Sequence, residues 1–262
     1  MNKTRIDWAN SSWNPITGCY HTCQYCYARR MANRFKAQGE LIEPETYRLD
    51  YEGKEIIECN EQPYTLDNGV IKKQPYPYGF TPCLHRYRFA EYQKKKGRNI
   101  FVGSMADIWG SWVPDRWIAE ILMACEKAPQ HNYLFLTKNP TRYIDLLSHN
   151  ELPLKDNYWY GATVNTPGMV FNYSKEFHTF LSIEPILTDF GDYCADGFVD
   201  WVIVGAETGN RQGKIIPKKV WIDNIVNICR KRNVPVFMKE SLRDLMGRDF
   251  IQEFPKELAP TD

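Results

Sequence analysis

Seven short, β-rich apolar runs recur along the chain, at 13–17, 100–104, 133–137, 158–163, 179–184, 201–205 and 236–239. Longer helical patterns separate them at 28–37, 115–127, 141–148 and 218–231, with a short one near 170–176. Alternation of this kind predicts a parallel sheet with helices outside it. Seven strands predict an α/β fold, a partial or nearly closed (β/α) TIM-like barrel, and 262 residues match the usual size of one. The competing open, doubly wound sheet would be favoured by Gly-x-Gly-x-x-Gly after the first strand, and none is present. The chain therefore reads as one domain over 1–262, its C-terminal segment 241–262 included. Residues 41–80, with Pro44, Pro63, Pro75 and Pro77, break the rhythm and read as an insertion between the first helix and the second strand, carrying a small hairpin.

Polar residues gather where these strands end. Ser104 and Asp107 follow the second, Lys138 the third, and Thr163 and Asn165 the fourth. Glu184 follows the fifth, Glu207 the sixth, and Lys239 with Glu240 the last. A parallel barrel opens all such positions on one rim, where catalytic loops lie. Any one of them also fits a solvated loop or a helix cap. The repetition at successive strands favours a shared mouth.

Composition is that of a globular protein, 43% hydrophobic and 25% charged, with no apolar run near the ~20 residues that cross a bilayer. The first residues lack an apolar targeting segment, so a cytoplasmic protein with no membrane partner is expected. A net charge of +1 creates no global field for nucleic acid, and any such binding needs a local patch. Composition leaves the oligomeric state open.

Three of the eight cysteines share one loop, Cys19-x3-Cys23-x2-Cys26. A cubane iron–sulfur cluster normally takes one thiolate per iron, so three leave one iron open to a small molecule. A structural zinc held by these cysteines and His21 is the plainer reading, but structural zinc sites usually pair two separated ligand couples. No second couple is visible: Cys59, Cys83, Cys125, Cys194 and Cys229 are scattered singly. A disulfide framework ranks last, since eight cysteines in 262 residues are sparse.

The cysteine spacing, with Tyr25 before the last cysteine, resembles the signature of radical S-adenosyl-L-methionine (SAM) enzymes. Within that superfamily, Ile6-Asp7-Trp8, Trp13-Asn14-Pro15-Ile16-Thr17-Gly18-Cys19 and Cys26-Tyr27-Ala28-Arg29-Arg30 resemble a phage- and prophage-associated family. Phe101–Asp107, Leu136–Pro140, Leu181–Pro185 and Val202–Gly209 resemble it as well, so the likeness runs to about residue 240. It is weakest over 41–80. Relatives often have a longer gap between the first two cysteines; the compact gap here strengthens the cluster reading. The family resembles spore photoproduct lyase only distantly.

The resemblance implies a 4Fe-4S cluster on Cys19, Cys23 and Cys26, SAM on the open iron, an electron donor such as flavodoxin or ferredoxin, and hydrogen abstraction from a substrate by a 5′-deoxyadenosyl radical. It implies SAM contacts from Tyr25, whose backbone would lie near the adenine, and from Ser104 and Asp107 near the methionine amino group. Lys138 would meet the methionine carboxylate, and Thr163, Glu184 and Glu207 the ribose or sulfonium. The usual Gly-Gly-Glu at the second strand is absent. For Glu184 and Glu207, pairing with Lys138 or Lys239 across the rim is an equal alternative. Cys83 is a weak catalytic candidate, because spore photoproduct lyase uses a cysteine as hydrogen donor; a small buried side chain is the commoner fate of a lone cysteine. His85, Arg86 and Lys239 are candidate substrate contacts.

The segment Arg86-Tyr87-Arg88-Phe89-Ala90-Glu91-Tyr92-Gln93-Lys94-Lys95-Lys96-Gly97-Arg98 interleaves cations with aromatics, as surfaces that bind phosphate and stack bases do. An amphipathic helix closed by Gly97 accounts for the same residues and is favoured. The leading expectation is a radical SAM enzyme acting on a nucleobase or nucleotide, including DNA or RNA modification or repair. The alternatives are a peptide or small-metabolite substrate, or a zinc-stabilised nucleic-acid-binding protein.

Overall fold

A computed structural model describes residues 2–4, 6–171, 174–191 and 199–259. In chain order the first elements are β1 (Asn2–Lys3), β2 (Ser11–Trp13), β3 (Ile16–Thr17) and α1 (Tyr27–Arg34). Six short strands follow: β4 (Leu41–Ile42), β5 (Thr46–Tyr51), β6 (Lys54–Cys59), β7 (Tyr64–Asp67), β8 (Val70–Lys73) and β9 (Cys83–His85). The remainder alternates: β10 (Asn99–Val102), α2 (Asp115–Glu126), β11 (Asn132–Thr137), α3 (Thr141–Ser148), β12 (Tyr158–Thr163), β13 (His178–Ile183), β14 (Trp201–Val204), α4 (Lys219–Lys231), β15 (Val236–Met238) and α5 (Arg243–Met246).

The main sheet runs β1-β2-β10-β11-β12-β13-β14-β15. β2 and β10 to β15 pair in parallel, and β1 is an antiparallel edge. Seven parallel strands thus curl into a half-barrel whose end strands do not meet, so the sheet is partial rather than nearly closed. The strands are buried on both faces, as parallel sheets require. Period two assigns the faces. Phe101, Leu134, Trp159, Phe180, Trp201, Ile203 and Phe237 form one cluster with Trp8 and Leu258. On the other face Ile100, Val102, Tyr133, Phe135, Tyr158 and Tyr160 pack with the buried sides of α2 and α3. Leu181, Ile183, Val202, Val204, Val236 and Met238 do the same with α4. Gly161 leaves room for Phe180, whose ring would lie 2.3 Å from an added Cβ.

Six of the seven expected strands and four helices appear near their expected bounds. The first strand does not survive as one. Asn14-Pro15 breaks 13–17 into β2, in the main sheet, and β3, which pairs with β9. Proline has no N–H for a ladder, and here the Pro15 carbonyl accepts from His85 N at 2.7 Å. Residues 41–85 carry more than a hairpin: β3-β9-β6-β5 form a four-stranded sheet and β4-β7-β8 a three-stranded one.

The segment 86–98 is not an amphipathic helix. A single 3-10 turn, Arg86–Arg88, gives way to turns, and Gly97 allows close approach to the Gln130 carbonyl, 2.6 Å from where a Cβ would sit. No helix forms over 170–171 or 174–176, and residues 172–173 of that expected helix lie outside the described residues. Cys194 and residues 260–262 lie outside them too. The other seven cysteines form no disulfide. Among the described residues, no helix is long and apolar enough to cross a membrane.

Candidate functional site

The cysteine loop is suspended between the two sheets. Gly18 N donates to Met105 O at 2.9 Å, and Cys19 N donates to Phe80 O at 3.1 Å. Gly18 has φ +90°, and a Cβ there would lie 2.3 Å from the Thr81 carbonyl oxygen, so only glycine fits this close approach. At the far end of the loop Cys26 caps α1, its sulfur accepting from Arg29 N at 3.3 Å. The helix N-terminus thus faces the thiols, where its partial positive charge favours anionic sulfur.

Below the loop lies a cavity of about 680 Å³, within the ~300–1,000 Å³ typical of small-molecule sites. Its walls include all three loop cysteines and Tyr25, together with Ser104, Asp107, Lys138, Thr163, Glu184, Glu207 and Lys239. The strand-end residues singled out in the sequence therefore converge with the cysteine loop. Trp8, Phe101 and Leu136 give the cavity an apolar floor.

Asp107 organises one side of it. Its carboxylate accepts from Trp109 N (3.1 Å), the Thr137 hydroxyl (2.7 Å), Lys138 N (2.9 Å) and His21 Nε2 (2.9 Å). Burial alone would push its pKa up, but the bonds from His21, Lys138 and Thr137 pull it below the ordinary value. His21 is held by Asp107 and lies edge-on to Trp112, with ring centroids 4.8 Å apart. Ser104 donates to the Asn14 side chain at 3.1 Å, which also receives Met105 N at 2.9 Å. Asn14 therefore fixes the loop after β10, a role its place between Trp13 and Pro15 did not reveal.

Lys138 projects over the Tyr25 ring, with 5.7 Å from Nζ to its centroid. Among the described residues it makes no ion pair. Burial lowers its pKa, offset in part by Cys23, Asp107 and Cys19. The Tyr25 hydroxyl donates to Asn165 Oδ1 at 2.6 Å, and Asn165 Nδ2 donates to Pro185 O at 2.8 Å, so β12 anchors the loop tyrosine.

The two rim acids are paired differently from each other. Glu184 meets Lys239, as one alternative anticipated. Glu207 is instead held by Arg211 through two hydrogen bonds of 2.6 and 2.7 Å, and the guanidinium keeps its carboxyl below the ordinary range.

Three candidates lie elsewhere. Arg86 is bound to Glu120 at 2.6 and 2.8 Å and to Glu58 at 2.9 Å, on the side of the small sheet that meets α2. His85 is fully buried and shares a 2.8 Å hydrogen bond with the Thr17 hydroxyl. Cys83 is buried beside Cys59, with sulfurs 3.4 Å apart. None of the three lines the cavity. Arg88 is also turned inward, donating to Asn14 O and Pro75 O, so of the cation run mainly Lys94, Lys95 and Lys96 face solvent.

Among the described residues, the one set of three metal-ligating side chains with ligand atoms within 4.8 Å of one another is Cys59, Cys83 and His85. Cys19, Cys23 and Cys26 do not form such a set. His21, the fourth zinc ligand of the alternative reading, meets Asp107 through Nε2, which leaves Nδ1 as its other ring nitrogen. Arg29 Nε is buried beside the loop without a hydrogen-bond partner, a donor suited to a nearby anionic sulfur. Burial first, then the Asp107 charge, pushes the Cys19 pKa up to about 12, so a metal bound there must displace a proton.

Residues 3–243 match the family model described as "Protein of unknown function (DUF5131)". No curated protein and no solved structure matches the chain.

Proposed function

The chain belongs to the DUF5131 family, and we propose that it is a radical SAM enzyme built on a TIM-like partial barrel, with residues 41–80 as an insertion. The observation that carries this reading is the placement of three thiols from one short loop over a cavity where the polar ends of successive parallel strands converge. Cys19, Cys23 and Cys26 would hold a 4Fe-4S cluster. With SAM bound, that cluster supplies one-electron cleavage of a sulfur–carbon bond and hydrogen abstraction from a substrate.

The chain's own residues bind and orient. Lys138, the cavity cation with no ion-pair partner among the described residues, offers the charge for the SAM carboxylate. Ser104 and the Asp107-ordered loop after β10 take the amino end, and the Tyr25 backbone the adenine. Thr163 and Glu184 line the wall where ribose hydroxyls would lie, while Glu207 is already matched by Arg211. The apolar floor excludes water from the reacting centre.

The substrate is a nucleobase or nucleotide in this reading, with an electron donor such as flavodoxin or ferredoxin and a cytoplasmic setting. Exposed Lys94, Lys95 and Lys96 supply the local charge that a polynucleotide would need.

Anaerobic purification and reconstitution test the proposal. A brown protein with about four irons per chain that releases 5′-deoxyadenosine from SAM under reductant supports it. Colourless protein that does not cleave SAM overturns it, and zinc that is lost when Cys19, Cys23 and Cys26 are replaced by Ala would then favour a zinc-stabilised binding protein. Cleavage stimulated by a peptide or small metabolite, but by no nucleic acid or nucleotide, overturns the substrate class alone.

A further inference from the structure

Cys59 lies 24 residues before Cys83 and shares no motif with Cys83 and His85, yet strand pairing brings the three to one face of the small sheet. In the parallel β6–β9 ladder Cys59 stands opposite His85, and Cys83 opposite Ile57. Cys83 and His85 are two residues apart on β9 and so point to the same side. The Cys59 and Cys83 sulfurs are 3.4 Å apart, and Cys83 Sγ lies 3.7 Å from His85 Nδ1. In a tetrahedral zinc site with ordinary bond lengths, sulfur–sulfur edges are about 3.8 Å and sulfur–nitrogen edges about 3.6 Å. Two of the three edges are close to these values, and all three ligand atoms lie within 4.8 Å of one another.

The surroundings match. All three side chains are at most 1% exposed. His85 Nε2 shares its 2.8 Å hydrogen bond with Thr17 Oγ1, which leaves Nδ1 to face the sulfurs, the outer-shell arrangement usual for a metal-bound histidine. The Tyr87 hydroxyl shares a 3.1 Å hydrogen bond with Nδ1, which a metal would replace, and the Tyr78 hydroxyl lies 3.8 Å from Cys59 Sγ. Two thiolates would cancel a divalent charge in a place where an unbalanced ion would be costly.

We propose that Cys59, Cys83 and His85 form a structural site for a borderline-soft divalent cation, zinc(II), that pins the small sheet beneath the cysteine loop. The link is short, because Thr17 precedes Gly18-Cys19 and the Phe80 carbonyl, just upstream of β9, receives Cys19 N. The site stands independently of the radical SAM reading, and its ligands share no residue with the loop.

The test uses the full chain with Cys19, Cys23 and Cys26 all changed to Ala, so that loop-bound metal cannot count. One zinc per chain by elemental analysis is expected. Cobalt(II) titration should give the ligand-field bands of a tetrahedral site with thiolate charge transfer. In the same background Cys59→Ala should lose the metal, and Thr17→Val should weaken cobalt binding about 10- to 100-fold, with circular dichroism confirming the fold. Folded protein without zinc and without cobalt bands overturns the proposal. Retention of full zinc in Cys59→Ala does so too, as does a Cys59–Cys83 disulfide in freshly isolated protein.

Discussion

His21 Nε2 lies 2.9 Å from Asp107 Oδ2, joining the cysteine loop to the end of β10 across 86 residues of sequence. Asp107 receives three further hydrogen bonds, so it holds loop, β10 and β11 in one arrangement. Asp107→Asn keeps the shape but removes the charge that orients His21. The variant should lose about 1.5–3 kcal/mol of stability, the usual worth of hydrogen bonds to a charged group. Urea unfolding measures the loss. An unchanged midpoint would show that the carboxylate is not the hub described.

Cysteine substitutions should divide by location. Cys23→Ala should abolish iron binding and SAM cleavage while the fold, built on other residues, persists. Cys125→Ala and Cys229→Ala, fully buried on α2 and α4, should keep iron and lose stability only through packing. Iron content and far-UV circular dichroism separate the two groups, and a full cluster in Cys23→Ala contradicts the ligand assignment.

Lys138→Met should weaken SAM binding roughly ten- to a hundredfold, the equivalent of one charge-assisted contact, and leave iron content unchanged. Lys94→Ala, in the exposed cation run, should leave SAM affinity alone. If a polynucleotide is the substrate, it should also lower polynucleotide affinity and flatten its salt dependence. Calorimetry with SAM and a salt titration with DNA and RNA read both. Equal SAM affinity in Lys138→Met and the parent chain removes the lysine from the site.

Glu58 ties β6 to α2 through Arg86, Arg116 and the Trp117 indole N–H. Burial alone would raise its pKa, but the bonds from Trp117 and Arg86 leave it below the ordinary value of 4.5. A depressed carboxylate stabilises the fold fully above its unfolded pKa and loses that contribution as pH falls through the folded value. Glu58→Gln should therefore cost about 1.5–3 kcal/mol near neutrality, and the gap to the parent chain should close below pH 4.5. Denaturant midpoints at several pH values check this; a gap that persists in acid would assign the loss to shape rather than charge.

The half-barrel was legible because parallel strands buried on both faces appear as apolar runs, and polar residues at their ends mark the rim without knowledge of contacts. Spacing marked Cys19, Cys23 and Cys26 as one group, and the structure places all three on the cavity wall. What failed depends on partners distant in sequence. Asn14-Pro15 marks a break in 13–17, but that its second half joins a different sheet follows from the pairing of β3 with β9, which no local pattern announces. Arg86 and Arg88 look like a binding surface until Glu58, Glu120 and the Asn14 carbonyl reach them. Cys59 and Cys83 look solitary because their nearness arises from strand register.

The indole of Trp112, edge-on to His21 within the cysteine loop, gives the molecule an optical consequence. An iron chromophore seated on Cys19, Cys23 and Cys26 would absorb broadly where tryptophan emits, so filling the loop would darken Trp112 and also Trp8, which lines the cavity below the loop. Replacing each in turn by Phe would divide the loading-dependent change in fluorescence between them, and the chain would serve as its own gauge of cofactor occupancy.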